Sequence, residues 1–301
     1  MPIIKLGTRG SALALTQSKW VAHQIEQHNE GIQVELLVIK TTGDRDQKSA
    51  LNKFAGKGIF TKEIEEALLA GSIDLAVHSL KDLPTTLPQG LILAPPPKRE
   101  DPRDLLVAKS QLKDLPQESV IGTGSARRRE QLRLLRPDFH FEEIRGNVPT
   151  RIQKWRDGHC HATVLACAGV ARLGSDTAGL QNSEAFPLTI EECVPAPCQG
   201  ILGIEIREND QQTLKLLETI ACSHTEIACR AERAFLRELG GGCHIPAGAW
   251  ARIENDTFFF TGFLAVETSA GHFEGHRIEL SGTSQEAEKL GREAAIKLTK
   301  S

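Results

Sequence analysis

The sequence lacks the features that mark membrane and exported proteins. No apolar run in its 301 residues approaches the ~18 residues that a membrane-spanning helix needs, so we expect no contact with a membrane. The first residues have no basic flank, long apolar stretch or cleavage site typical of a secretory signal. Seven cysteines form an odd set in a chain too long to need disulfides for its stability. We therefore expect a cytoplasmic protein with reduced thiols.

The sequence also has little net charge and few aromatic residues. The formal net charge is −3 and aromatic residues make up 5% of the chain, whereas nucleic-acid-binding proteins combine excess basic charge with stacking aromatics. We expect no nucleic-acid partner. Residues 121–156 nevertheless contain nine basic and four acidic side chains, a local charge of +5. Such a stretch in a mildly acidic protein indicates a localised site for an anion.

Alternating strand and helix patterns predict the organisation of the chain. Residues 2–95 have β–α–β order, in which Ser11 can cap the first helix, and this order favours an α/β domain with a largely parallel sheet. Three prolines at 95–97 end this pattern, and a second α/β pattern follows. The apolar run 200–206 predicts a strand that returns to the first domain. From about residue 211, helices followed by three consecutive strand-like runs predict a small α+β domain.

These patterns predict three domains. The first comprises residues 1–97 and 198–214, the second residues 98–197, and the third residues 215–301.

The segment V-H-S-L-K-D-L-P at 77–84 follows a predicted buried strand. Ligands of open α/β sheets bind beyond the carboxyl ends of the strands, which makes Lys81 and Asp82 candidate site residues. A carboxylate beside a lysine can handle protons or stabilise a cationic intermediate. An ordinary polar loop, with His78 simply buried at the strand end, is the alternative interpretation.

A second group of motifs places arginine at one edge of the second domain. The segment G-T-G-S-A-R-R-R at 122–129 reads as strand, turn and helix start, where free N–H groups and the helix dipole favour an anion. Arg145 and Arg172 follow the next two predicted strands. Together they predict a cleft for a polyanion, with T-R-G-S at 8–11 as a wall from the first domain. A solvated basic helix is the alternative, and the lysine spacing of a nucleotide-binding loop is absent.

Two glycine-bearing segments complete the candidate set. G-G-G-C at 240–243 predicts an accessible Cys243, able to act as a nucleophile or an attachment point; a structural cysteine in a turn is the alternative. No C-x-x-C pair is present, so we expect no metal. The segment 53–60, with Lys57, predicts a glycine-hinged lid or a plain surface loop.

These motifs, in this order, resemble the porphobilinogen deaminase family (hydroxymethylbilane synthases). The resemblance extends from Thr8 to Pro246 and rests on T-R-G-S-A-L-A, G-K-G-I-F-x-K-E, H-S-L-K-D-L-P, R-E-D-P-R-D, S-x-R-R, R-G-N-V-x-T-R, R-L-G and G-G-G-C-x-I-P. It implies an α/β fold with two domains similar to type II periplasmic binding proteins around a cleft, followed by a small α+β domain. It further implies a monomeric transferase that condenses four porphobilinogen molecules head to tail, releases ammonia and, after hydrolysis, yields hydroxymethylbilane for tetrapyrrole and haem biosynthesis.

The resemblance also assigns roles to residues. It implies that Cys243 holds a dipyrromethane cofactor by a thioether and that Asp82 is the central acid and base. The side chains and backbone expected to bind cofactor and substrate are Arg9, Ser11, Lys57, Ser79, Lys81, Thr123, Ser125, Arg127, Arg128, Arg145, Gly146, Arg151, Arg172 and Gln199. The arginines suit this ligand because every pyrrole carries two carboxylates, which arginine holds bidentately.

Three positions depart from the family pattern. Gly124 stands where serine is common, and Pro149 lies at a helix start that tolerates proline. Cys198 replaces an expected glycine. None of these changes removes Asp82, Cys243 or the main arginines.

Three other functions fit part of the pattern. A carboxylate-binding protein of the periplasmic type, without catalysis, explains two α/β domains but neither the third domain nor the glycine-flanked Cys243. A cysteine hydrolase needs a base oriented toward the thiol, and His244 is merely adjacent. Nucleic-acid binding lacks its aromatics and is testable by the salt dependence of affinity.

Overall fold

The computed structural model describes residues 2–41, 61–241, 245–269 and 272–300. They form two compact units, Met1–Arg99 with Ile201–Ile227 and Glu100–Gly200 with Ala228–Ser301. The chain therefore leaves the second unit after Gly200 and returns to it at Ala228. The separation of residues 215–301 as a third domain stays a prediction.

Strands and helices alternate through most of the chain. The strands are β1 Ile3–Thr8, β2 Gln33–Val38, β3 Leu75–Ser79, β4 Leu91–Leu93, β5 Asp104–Val107, β6 Val120–Gly122, β7 His140–Glu142, β8 Ala162–Ala166, β9 Ala185–Pro187, β10 Leu202–Arg207, β11 Ala247–Glu254, β12 Thr257–Ser269 and β13 His272–Gly282. The helices are α1 Ala12–His28, α2 Lys62–Leu69, α3 Ala126–Leu135, α4 Val148–Arg156, α5 Cys167–Leu173, α6 Ser175–Ala178, α7 Gln211–Glu218, α8 Ser223–Glu238 and α9 Ala287–Thr299. Within the described ranges no helix has the length and apolar character to cross a bilayer.

The first unit is built on a five-stranded sheet in the order β2-β1-β3-β10-β4. Strands β1, β2 and β3 are parallel, whereas β10 runs antiparallel to both β3 and β4. Its core packs Leu6, Leu75 and Ile204 of the sheet against Val21 and Ile25 of α1. Strand β10 thus brings the chain back to the first sheet, as the apolar run at 200–206 predicted.

The second unit contains a sheet of the same design, in the order β7-β6-β8-β5-β9. Strands β6, β7 and β8 are parallel, and β5 runs antiparallel to both β8 and β9. The predicted α/β class is therefore confirmed. Because the carboxyl ends of parallel strands meet at one edge, the residues that follow β6, β7 and β8 lie along the same side of this sheet.

The last part of the chain forms an antiparallel sheet, β11-β12-β13, on which α9 packs. Its strands alternate inward and outward side chains, and Phe258 and Phe260 are completely buried. The ring of Phe235 on α8 lies 5.5 Å, centroid to centroid, from that of Phe260. This arrangement is the α+β region that the sequence predicted.

A buried carboxylate ties together three segments of the second unit. Asp104 begins β5 and has no solvent exposure. Its oxygens accept hydrogen bonds from Arg127 Nη1 at 2.7 Å, Arg128 Nη2 at 2.7 Å and Gln199 Nε2 at 2.9 Å. Burial alone would raise the pKa of Asp104, but the charges of Arg127 and Arg128 hold that pKa well below its usual range. The cluster joins β5, the first turn of α3 and the segment before Gly200.

The Asp104 cluster also includes a thiol. Cys193 Sγ donates to Asp104 Oδ2 at 3.3 Å. Burial, and then the negative charge of Asp104, raises the pKa of Cys193 to about 12. This thiol is therefore a protonated donor of the core and a poor nucleophile.

Gly291 lies where α9 packs closely on α8, so a substitution at this position tests that packing. A Cβ at this position would lie 2.2 Å from the carbonyl oxygen of Ala231. Alanine ordinarily stabilises a helix interior by ~1 kcal/mol relative to glycine, but here we expect Gly291→Ala to lower the free energy of unfolding by ~1–3 kcal/mol because the helices must separate. Urea unfolding measures this, with Lys289→Ala, at an exposed position of the same helix, as a control. An unchanged or larger free energy of unfolding in Gly291→Ala would contradict the packing.

Asp104→Asn tests the buried cluster. Removing one partner of a buried ion pair costs ~3–5 kcal/mol, so we expect a loss of that size in the free energy of unfolding at neutral pH. The pKa of Asp104 is lower in the folded protein than the ~3.9 of an unfolded aspartate. The stabilisation is therefore fully present above about pH 4 and is lost as the pH falls toward the folded pKa. Unfolding measured over a range of pH should show that the wild type loses its advantage over Asp104→Asn only in acid. Asp138→Asn removes a carboxylate from a less buried pair with Arg136 and should have a much smaller effect. An equal loss in both variants would refute the cluster's role.

Candidate functional site

A rigid turn presents Asp82 at the carboxyl end of β3. The strand ends at Ser79 and continues into one 3₁₀ turn, Leu80–Asp82. Leu80 is buried, and its N–H donates to the carbonyl of Ile201 at 3.0 Å. The N–H of Leu83 donates back to the carbonyl of Leu80 at 3.1 Å. The backbone is therefore fixed on both sides of Asp82, whose side chain is exposed.

A buried glutamine holds the entry to this turn. Gln17 Nε2 on α1 donates to Ser79 Oγ at 2.9 Å, and Gln17 itself is almost completely buried. Gln17 was not among the residues predicted from the sequence. The signal was available, because Gln17, Val21 and Ile25 recur at helical spacing on one face, so a polar residue stands on the buried side of α1.

Arg9 and Ser11 follow β1, which pairs with β3 in parallel. The Ser11 side chain accepts from the Ala14 N–H and begins α1 as an N-cap, as predicted. Arg9 is half-buried and Lys81, next to Asp82, is half-buried as well. The first unit thus carries Arg9, Ser11, Lys81 and Asp82, with Ser79, at the carboxyl ends of β1 and β3.

His78 is buried at the end of β3 inside the first unit, as the alternative interpretation of the segment 77–84 predicted. Its Nε2 lies 2.8 Å from Glu205 Oε2 of β10, and both side chains are buried. Burial, together with the charge of Glu205, raises the pKa of Glu65 on α2. These ionisable groups form an internal cluster on the α2 side of the sheet.

In the second unit, Thr123 and Ser125 form the turn between β6 and α3. Thr123 Oγ1 accepts from the Ser125 N–H at 3.2 Å, and Ser125 Oγ caps α3 by accepting from the Arg128 N–H at 3.4 Å. A Cβ on Gly124 would make only ordinary contacts, the nearest at 3.6 Å. Packing would therefore accept the serine that the family usually has, and the glycine leaves this turn more open.

Arg127, Arg128 and Gln199 point inward. Besides Asp104, Arg127 donates to the Val194 carbonyl and Arg128 to the Val164 carbonyl, each at 2.7 Å. The arginines are 5% and 6% exposed, so their guanidinium groups anchor the turn at the start of α3. Asp104 was not predicted as their partner, because the pairing of Asp104 with Arg127 spans 23 residues and leaves no periodic signal in the sequence.

Arg145, Gly146 and Arg151 follow β7 and enter α4. Gly146 has φ +120°, and a Cβ there would lie 2.7 Å from Thr150 Cγ2, so only glycine fits. Arg151 Nε donates to the Gly146 carbonyl at 2.8 Å. Arg145 pairs with Glu143 at 2.8 Å in a solvent-exposed contact, which is weak enough to be exchanged for a ligand carboxylate.

Arg172 is a partly buried cation in the last turn of α5. Its Nη2 donates to the Gly200 carbonyl at 2.7 Å. Burial lowers the pKa of Arg172 to about 10, although the charge of Glu100 acts in the opposite direction. A cation that burial disfavours gains stability when a carboxylate approaches. Arg172 is therefore suited to an anionic ligand.

The predicted site residues thus fall into two groups at the sheet edges of their own units. Five lie in the first unit, and Thr123, Ser125, Arg145, Gly146, Arg151 and Arg172 lie along the second sheet or its following helix. The hydroxyl groups and arginines among these residues fit a group that carries several carboxylates, as dipyrromethane does. Lys57 and Cys243 lie outside the described residues.

Two family models match the chain. Residues 4–215 match the one described as "Porphobilinogen deaminase, dipyromethane cofactor binding domain". Residues 226–300 match the one described as "Porphobilinogen deaminase, C-terminal domain".

Matches among solved structures have low sequence identities and low TM-scores. The VFT2 domain of Bordetella pertussis BvgS is 13% identical, with a TM-score of 0.42, over 78% of this chain and 93% of that one. The probable amino-acid ABC transporter extracellular-binding protein ytmK of Bacillus subtilis is 9% identical, with a TM-score of 0.44, over 73% of this chain and 92% of that one.

Relatives in sequence are far more similar. The porphobilinogen deaminase of Clostridioides difficile is 43% identical over 300 residues, covering 99% of this chain and 96% of the relative. That of Syntrophomonas wolfei is 43% identical over 297 residues, covering 98% of this chain and 94% of the relative. Matches of this identity and length, together with the two family models, establish that the chain belongs to the porphobilinogen deaminase family.

Proposed function

We propose that this protein is a transferase that condenses four porphobilinogen molecules head to tail and, after hydrolysis, releases hydroxymethylbilane. The observation that carries the proposal is the exposed carboxylate of Asp82 on a turn whose backbone is fixed by Leu80 and Ile201. A reacting group that must act on successive substrates benefits from such a preorganised position. The proposal includes a cytoplasmic monomer, as the family resemblance implies.

Asp82 serves as both acid and base in this proposal. In its protonated form the carboxyl group gives a proton to the amine that leaves as ammonia. The resulting carboxylate stabilises the positive charge on the substrate, and it then takes up the proton that the attacked pyrrole carbon loses. Each addition thereby returns Asp82 to its starting protonation state, so one residue supports all four additions.

The proposed cofactor is dipyrromethane, attached through Cys243. When bound, it supplies the pyrrole to which the first substrate unit is joined. Arg145, Arg151 and Arg172, with the donors of the 123–125 turn, are proposed to hold its carboxylates and those of the growing product. Because arginine stays cationic over the physiological pH range, this binding does not depend on small changes in pH.

The remaining predicted residues are proposed to bind carboxylates or to hold the site in position. Arg9, Ser11 and Lys81 are proposed to hold carboxylates beside Asp82, and Ser79 to orient the turn through Gln17. We infer that Arg127, Arg128 and Gln199 keep the second sheet edge in shape through Asp104. The direct carboxylate binding that the resemblance assigns to these three residues stays a prediction.

Asp82→Asn is expected to lower kcat by ~10²–10⁴-fold, because an amide cannot exchange the proton. The assay follows porphobilinogen consumption and ammonia release, and thermal unfolding checks the fold. Asp74→Asn is the matched control. Asp74 immediately precedes β3 at its other end, where it pairs with Arg207, and its loss should leave kcat unchanged. Wild-type turnover in a folded Asp82→Asn protein would exclude the proposed role.

Arg172→Gln is expected to lower kcat/KM for porphobilinogen by ~10–100-fold, since a hydrogen bond to a charged group contributes about 1.5–3 kcal/mol. Steady-state kinetics on cofactor-loaded protein measures it. Arg156→Gln removes an arginine of the same unit that pairs with Glu184 and should leave kcat/KM unchanged. Equal kinetics in both variants would argue against a carboxylate at Arg172.

A further inference from the structure

Two thiols that have no part in the proposed reaction lie against each other in the second unit. Cys198 lies against α8, because its N–H donates to Glu232, which is one helical turn beyond Cys229, and the Cys198 thiol is hydrogen-bonded to the side chain of Cys229. Cys198 is 2% exposed and Cys229, on α8, is 7% exposed. Their sulfur atoms are therefore neighbours in a part of the core that water barely reaches.

The backbone at Cys198 has an unusual conformation. Its φ is +63°, in the left-handed region where glycine costs least and a residue with a Cβ is strained. The N–H of Cys198 donates to the buried carboxylate of Glu232, which also accepts from the Ala251 N–H. A side chain is thus held at a position that favours glycine, and the hydrogen bond to Glu232 fixes the backbone there.

The two cysteines stand at the points where the chain changes units. Cys198 lies just before Gly200, the end of one segment of the second unit, and Cys229 lies just after Ala228, the start of the next. The intervening segment, Ile201–Ile227, belongs to the first unit and contains β10 and α7. A bond between the two sulfur atoms would close a covalent loop around that whole segment.

We propose that Cys198 and Cys229 form an oxidation site at which a small peroxide converts the two thiols into an intrachain disulfide. Hydrogen peroxide first oxidises one thiol to a sulfenic acid and releases one water molecule. The second thiol then attacks the sulfenic sulfur, the S–S bond forms, and the hydroxyl group leaves with the thiol proton as a second water molecule. Two thiols and one peroxide therefore give one disulfide and two waters.

The surroundings of the pair make this oxidation slow and selective. The hydrogen bond with Cys229, together with burial, raises the pKa of Cys198 well above its usual value, so little reactive thiolate is present. Half-buried Cys222 is therefore oxidised faster. Once a sulfenic acid forms at either member of the pair, however, the adjacent thiol captures it before a further oxidant molecule arrives.

The test uses the reduced, cofactor-loaded protein treated with hydrogen peroxide under native conditions. After quenching, the protein is unfolded, alkylated and digested, and fragment spectra separate Cys198 from Cys193 and Cys229 from Cys222. We expect a peptide pair linked through Cys198 and Cys229 that dithiothreitol converts back to free thiols. Cys198→Gly, which suits a φ of +63°, should fold and lose the link. Cys160→Ala, which removes a buried thiol elsewhere in the unit, should keep it.

The result is independent of the proposed function, because mass spectrometry reads the thiols and not turnover. Alkylation of both Cys198 and Cys229 after a peroxide treatment continued well beyond the complete oxidation of Cys222, until the folded protein takes up no more oxygen, would overturn the proposal. So would sulfinic or sulfonic acid at either residue without the link, or a link formed equally well in urea-unfolded protein.

Discussion

Burial of the Asp104 carboxylate is the constraint on which the arginine-rich edge of the second unit depends. Removing an ion from water costs several kcal/mol, so a buried carboxylate must be surrounded by donors. Arg127, Arg128 and Gln199 supply them from two segments distant in sequence. The interaction fixes where β5 meets the start of α3, and it therefore sets the position of the turn at 123–125. Arg127 and Arg128, which were predicted to bind the ligand, thus bind Asp104 and are buried.

The remaining charges divide according to burial. Arg145 pairs with Glu143 in solvent, where water and salt screen the attraction, whereas Arg172 is partly buried and its pKa falls to about 10. A ligand with several carboxylates would replace Glu143 as the partner of Arg145 at a small cost in free energy. It would also stabilise the charge of Arg172, which burial disfavours. In the first unit, by contrast, a rigid backbone carries an exposed Asp82. Carboxylate binding and proton transfer thus depend on different physical features.

Local patterns predicted much of this structure. Helix starts at Ser11 and Ser125 followed from side chains that cap free N–H groups, and the alternation of strands and helices gave the α/β class. Strands β4, β5 and β9 were missed because they span three or four residues, too few for a periodic signal, and no α-helix adjoins them in the chain. The equally short β6 and β7 are each followed by a helix, which made them recognisable. The contact between Asp104 and Arg127 was missed for another reason. This contact depends on how β5 and α3 are brought together by the fold. The sequence motifs that identify the family do not indicate which arginines face inward.

The intact mass of the denatured protein, measured beside Cys243→Ser, tests the central claim most directly. The account predicts that the wild type exceeds its sequence mass by two linked pyrroles and that Cys243→Ser has the unmodified mass. Incubation with porphobilinogen should restore the excess to a wild-type apoprotein and leave the variant unchanged. An unmodified wild-type mass that persists after this incubation, or an equal excess in both proteins, would contradict the proposed attachment at Cys243.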